Sequence, residues 1–255
     1  MNDASKKPIE LVATTTAKKA KKSDTNSRRQ FLQAMAVASA GVALPGVALA
    51  ETAKPVLDQS PEPVNIDTPE AALAALMDGN RRFRSGKMVS CKAPIGVLLE
   101  ETVNRQTPFA AVLSCSDSRV PIESIFDQEL GRVFVARVAG NIATPEMVAS
   151  LEYGVAVLGT KLIMVIGHSN CGAVKSAMTD FDAPGQITSL YQFIRPAIQE
   201  SGQHLGAAIH DNARIQAKLL AKSSPLLAKS ISEGTLRIVP AYYSLATGEV
   251  TVLKA

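Results

Sequence analysis

Residues that carry reactive chemistry are scarce in this 255-residue sequence, which holds three cysteines and three histidines. Cys91, Cys115 and Cys171 exclude a fully paired disulfide framework, because any single bridge leaves one thiol over. No internal repeat runs along the chain, and there is no low-complexity tract beyond its first 50 residues. Positive charge is missing where a nucleic-acid binder needs it. The sequence pI is near 9.0, yet residues 1–29 hold eight basic side chains against three acids, residues 30–50 hold none, and the remainder carries a net charge of −1. A near-neutral body excludes a nucleic-acid surface.

What the first 50 residues do have is the layout of an export signal. Arg28 and Arg29 precede the charge-free, mildly apolar run "QFLQAMAVASAGVALPGVALA", whose final "ALA" suits a signal peptidase. The segment resembles a twin-arginine signal. Cleavage after Ala50 is expected; the alternative is a retained anchor, since residues 31–50 approach spanning length. The resemblance implies a periplasmic destination, with membrane contact only during export. It also implies transport of an already folded chain, so a metal loaded inside the cell would shelter its thiolates. Residues 51–67, with three prolines and no apolar periodicity, read as an extended arm, and residues 68–255 as a single domain.

Thr68 and Pro69 are suited to cap and start a helix, with Ala71, Leu73, Leu76 and Met77 as its apolar stripe before "DGNRRFRSG" breaks the pattern. Strands are expected at 109–114, 132–138, 161–167 and 236–245, with "GEVTVL" closing a final hairpin. The first and third are short, continuously apolar runs of the kind buried on both faces, and helical stretches lie between the strands (145–159, 171–178 and about 186–233). This alternation predicts an α/β fold: a mainly parallel sheet flanked by helices, with an N-terminal helical arm.

Two of these strands end on unusual residues. One runs into Cys115-Ser116-Asp117-Ser118-Arg119, the other into His168-Ser169-Asn170-Cys171. Functional groups of open parallel sheets gather at the carboxyl ends of strands. If the two strands are neighbours, Cys115, His168 and Cys171 share one crevice, and a helix starting at Cys171 favours its thiolate. One imidazole and two thiolates suit Zn²⁺ and leave its fourth position open, as a catalytic ion requires. Two alternatives stand beside this reading. Cys91 could close a structural Cys₃His site, or Cys115 and Cys171 could form a disulfide, which leaves His168 without a purpose. A third reading takes Ser169 as the nucleophile of a G-x-S-x-G elbow, but Cys171 stands where the closing glycine belongs, and only His204 and His210 follow. Ser169 and Asn170 are read instead as loop and helix-capping residues.

"CSDSR" and "GHSNCG", together with "GNRRF" and "RVAGN", resemble the β-class carbonic anhydrases over about residues 68–255. The resemblance implies reversible hydration of CO₂ to bicarbonate and a proton, by attack of a zinc-bound hydroxide. Asp117 would accept that hydroxide's hydrogen bond, and Arg119 would keep Asp117 ionised and turned away from the metal; in some members the aspartate binds zinc itself in a closed form. The resemblance further implies that Gln106 and Gly172 contact the substrate. Phe134, Val138 and Ala139 are candidates for an apolar CO₂ pocket or for plain core. The unit implied is a homodimer or larger homo-oligomer, with the arm of each copy wrapping its neighbour. An aromatic that some members place between "AGN" and "LEYGV" has no counterpart here. Two thiolates cancel the formal charge of Zn²⁺, so the rate is expected to climb above neutrality. His204 and His210 are conceivable proton shuttles, although a solvated helix surface is the simpler reading. A non-catalytic zinc module of the same fold is the alternative function.

Overall fold

A computed structural model describes residues 66–90, 92–179 and 183–254. The export leader, the arm up to residue 65 and Cys91 lie outside the described residues. The chain opens with helix α1 (Pro69–Arg84), which the Thr68 hydroxyl caps by accepting from Ala71 N. The helix does not stop at Met77. It continues through "DGNRRFR" because that stretch packs inward: the backbone O of Phe126 lies so near Gly79 that a Cβ there would sit 1.7 Å from it, and the Asn80 amide is buried. A helix absent from the sequence reading, α2 (Ile95–Thr102), follows.

The sheet then assembles from β1 (Ala110–Ser114), β2 (Val133–Arg137), β3 (Leu162–His168), β4 (Arg237–Tyr243) and β5 (Val250–Val252) in the order β2-β1-β3-β4-β5. The first four run parallel, and β5 pairs antiparallel with β4 as the expected hairpin. Between them lie the one-turn α3 (Ile122–Ile125), α4 (Pro145–Ala156) and α5 (Gly172–Met178). The stretch read as long helices resolves into a 3-10 turn (Ile187–Leu190), α6 (Tyr191–Ser201), α7 (Leu205–Ser223) and α8 (Pro225–Ser232).

The two-residue period of the strands separates the layers. Ala110 and Val112 of β1, with Leu162, Met164 and Ile166 of β3, face α1 and α3. Ala111, Leu113, Ile163 and Val165 face Leu151 of α4, Ala217 and Leu220 of α7 and Leu227 of α8. A third apolar cluster, built by α5, α6 and α7, surrounds Cys115 and Cys171. The chain passes from β1 to β2 on one side and then to β3 on the other, so strand order reverses between β1 and β3. A crevice forms beyond the carboxyl ends of such a pair.

Candidate metal centre

Each candidate ligand is placed by the end of an element at that reversal. Cys115 is the first residue after β1, His168 is the last of β3, and Cys171 is the N-cap of α5. The glycine before His168 is required by close packing: a Cβ at Gly167 would stand 3.0 Å from Ile209 Cγ2 and 3.1 Å from Ile209 O. Ser169 and Asn170 do not cap the helix, as the sequence reading had it. Ser169 ties the turn to the β4–β5 connection, its N–H donating to Tyr243 O and its hydroxyl accepting from Leu245 N at 2.9 Å, while Asn170 takes a left-handed φ of 54°. With its hydroxyl engaged in this way, Ser169 makes a poor nucleophile.

The ligand atoms of Cys115, His168 and Cys171 lie within 4.8 Å of one another, and all three residues are buried. Cys115 Sγ and Cys171 Sγ are 4.0 Å apart. Two thiolates about 2.3 Å from a tetrahedral zinc would stand about 3.8 Å apart, so the spacing fits the ion. His168 Nδ1 lies 3.0 Å from Ser169 O, which places the ring proton there and leaves Nε2 with a free lone pair. That Nε2 is buried and has no hydrogen-bond partner, as expected of an atom that ligates a metal. The two sulfurs share a proton unequally. A hydrogen bond from Cys171 brings Cys115 down to about 4 against the opposing effect of burial, with further help from Gly140 N–H. Cys171 is pushed upward by the same contact and by burial. Such a set could hold a divalent cation, which would take the place of that proton and keep both sulfurs as thiolates.

Beside this set stands Asp117. Arg119 grips it with Nε to Oδ1 at 2.9 Å, Nη2 to Oδ2 at 2.8 Å and backbone N to Oδ1 at 3.0 Å. This fork holds the carboxyl far below the usual range, and it raises Arg119 in return. Asp117 Oδ2 lies 3.8 Å from His168 Nε2, and the carboxylate is oriented on arginine. Two groups that the sequence reading passed over complete the surroundings. Gly140 N–H donates to Cys115 Sγ at 3.3 Å, and Arg137 at the end of β2 donates from Nε to Cys115 O at 3.0 Å and from Nη2 to Asp117 O at 2.6 Å. Arg137 was visible as a lone charge ending an apolar strand.

The sequence model of the carbonic anhydrase family matches residues 110–250, and that of the TAT (twin-arginine translocation) pathway signal sequence matches residues 25–45. A carbonic anhydrase of Mycolicibacterium smegmatis is 37% identical over 191 residues, covering 71% of this chain and 92% of that protein. Among solved structures, the β-carbonic anhydrase CcaA is 27% identical with a TM-score of 0.57, covering 71% of this chain and 87% of that one. One of two tetrameric β-carbonic anhydrases from Sordaria macrospora shares the fold at 24% identity with a TM-score of 0.58, covering 63% of this chain and 91% of that one. The chain belongs to the β-class carbonic anhydrases. Membership makes it an enzyme, a carbonate dehydratase of the lyase class. Its leader is a twin-arginine export signal, outside the described residues.

Not every residue expected at the carbonic anhydrase site gathers there within one chain. Val138 packs among the residues around Cys115 and Cys171. Gly172 opens α5, exposed, with nothing within 4 Å of where a Cβ would be. Phe134 lies against α4, its ring 6.3 Å from that of Tyr153 and 3.4 Å from a Cβ built at Gly154, so within its own chain it serves the sheet-to-helix packing. Gln106 is exposed in the loop before β1, near Gly131, at the amino edge of the sheet, whereas Cys115 lies at the carboxyl edge. Of the two histidines, His204 is exposed, as expected of a solvated helix surface, and caps α7 by accepting from Ala207 N at 3.2 Å, whereas His210 is half-buried, edge-on to Tyr242 at 4.5 Å.

Proposed function

We propose that this carbonic anhydrase catalyses the zinc-dependent, reversible hydration of CO₂ to bicarbonate and a proton, and that it does so in the periplasm. The observation that carries the reading is the buried Cys115, His168 and Cys171 set with an ionised carboxylate held 3.8 Å from the metal-facing nitrogen. Bound there, zinc would supply a Lewis acid that activates water near neutral pH for attack on the carbon of CO₂. Cys115, His168 and Cys171 would hold the ion, supplying three ligand atoms. Asp117, kept ionised because Arg119 occupies both of its oxygens, would accept a hydrogen bond beside the ion and orient its donor. Val138, packed among the residues around Cys115 and Cys171, supplies apolar wall there. Gly172, without a side chain, leaves room for bicarbonate at the start of α5.

Gln106 belongs to this function only through assembly. Its own strand separates it from its own Cys115, so its amide meets substrate when a second copy presents it. Surface for such a homodimer exists in the apolar residues Ile95, Val97, Leu99 and Val103 in and just after α2, in Tyr153 and Val157 at the end of α4, and along the edge strand β2. No helix among the described residues is long and apolar enough to cross a membrane. Stopped-flow CO₂ hydration with and without a zinc chelator tests the reading: activity should vanish on chelation and return with zinc. Chelation-resistant hydration would refute it.

A further inference from the structure

Helix α7 turns an apolar face inward through Ala208, Ile209, Ala213, Ala217 and Leu220, yet two amides, Asn212 and Gln216, are fully buried in that same face. Buried amides are costly unless they are hydrogen-bonded, and these two are bonded to a loop far away in sequence. Asn212 Nδ2 donates to Gly140 O at 2.8 Å, and Gln216 Oε1 accepts from Ala143 N at 2.9 Å. Gln216 Nε2 donates to Asn212 Oδ1 at 3.2 Å and to Phe193 O at 2.9 Å, which locks the pair together. Both grips fall on the connection between β2 and α4, whose residues Gly140 and Asn141 both have positive φ, 81° and 45°. Gly140 is also the residue whose N–H meets Cys115 Sγ at 3.3 Å.

We propose that Asn212 and Gln216 are positioning residues of the metal centre: by holding this loop they aim Gly140 N–H at the Cys115 thiolate and so set how strongly that sulfur donates to the metal. The inference rests on reading Cys115 as a ligand. An N–H···S bond draws electron density from sulfur, which leaves the cation a stronger Lewis acid in a site where two thiolates already offset its charge. Groups outside the ligand set act on a metal in this way through orientation and hydrogen bonding, without touching substrate.

The test replaces zinc by Co²⁺ in the full-length protein and reads the sulfur-to-cobalt charge-transfer band. In Asn212→Leu and in Gln216→Met, which keeps the volume and removes only the amide, the band moves to longer wavelength and CO₂ hydration falls on the order of 10-fold. Lys218→Ala, on the exposed side of α7, leaves the band where it is. An unmoved band in either folded, cobalt-loaded amide variant overturns the proposal. Absence of any such band in the wild type removes the metal reading itself, and the inference with it. Should both variants fail to fold, the wild-type protein loaded with ¹¹³Cd decides: a scalar coupling between the metal and the Gly140 amide proton is expected, and its absence overturns the proposal.

Discussion

Three donors of Arg119 converge on one carboxylate, and this is the feature of the site most sensitive to side-chain shape. A guanidinium grips both oxygens of Asp117 in one plane; an ammonium has no such fork. Arg119→Ala is therefore expected to lower CO₂ hydration about 10- to 100-fold, and Arg119→Lys should restore little of it, because charge without the fork leaves Asp117 free to rotate toward the metal. Stopped-flow rates of the two variants check this, and a lysine variant at wild-type rate would show that charge alone suffices. Asp117→Ala should fall at least as far with its zinc content unchanged, since the atoms that would hold zinc come from Cys115, His168 and Cys171. The cluster of Cys115, His168 and Cys171 and the Asp117–Arg119 pair are legible in sequence because they stand at or just after the ends of two apolar strands. Arg137 and Gly140 were harder to read: their contribution passes through backbone groups, and nothing in a residue's identity announces which carbonyl or sulfur it will meet.

At the scale of elements, two buried polar side chains fasten α1 to its neighbours. Asn80 Nδ2 donates to Ile125 O at 3.1 Å and to Gly248 O at 2.8 Å, while its Oδ1 accepts from Val250 N at 3.0 Å, joining the end of α3 to the β4–β5 hairpin. Asp127, with a left-handed φ of 47°, accepts from Val89 N and Ser90 N and pairs with Arg82. Burial pushes the Asp127 carboxyl up, but Ser90, Arg82 and Val89 together outweigh burial and hold it below its ordinary value. A carboxyl depressed on folding contributes stability above its unfolded value, near pH 3.9, and that contribution is lost as pH falls through the folded value. The melting temperature of the wild type should thus drop below about pH 4, and Asp127→Asn, which is already weaker at neutral pH by about 3 kcal/mol, should show a shallower acid decline. Thermal melts of both proteins from neutral to acid pH measure this; parallel curves would contradict it. The same helix shows where pattern reading stopped short. Periodicity located its start and its apolar stripe, but "DGNRRF" looked like a break because polar residues signal an exposed surface, and the partners that satisfy Asn80 and Arg82 lie 45 or more residues away. Asn212 and Gln216 concealed themselves in the same way within an otherwise apolar face of α7. The strands, whose signal is local and apolar, fell within a residue or two of their expected limits.

For the whole molecule, the direction of β1 has a consequence that no single residue carries. Gln106 lies in the loop before the strand at one edge of the sheet and Cys115 follows it at the other, and the five residues of extended chain between those edges span roughly 16 Å. One copy cannot bring both groups to one substrate, so a catalytic role for Gln106 demands a second copy, and the exposed apolar residues of α2 and α4 give that copy a surface to cover. Two individually impaired variants then become complementary. Gln106→Ala retains a metal centre but lacks the amide, whereas Cys171→Ser retains the amide but lacks a thiolate ligand. When the two are co-expressed, or mixed under conditions that exchange subunits, assemblies form in which an intact metal centre on one chain faces an intact Gln106 on the other. Hydration activity above that of either variant alone is the expected result. If Gln106 acted within its own chain, mixing would restore nothing, and if the protein sedimented as a monomer while fully active, Gln106 would have no route to the substrate at all.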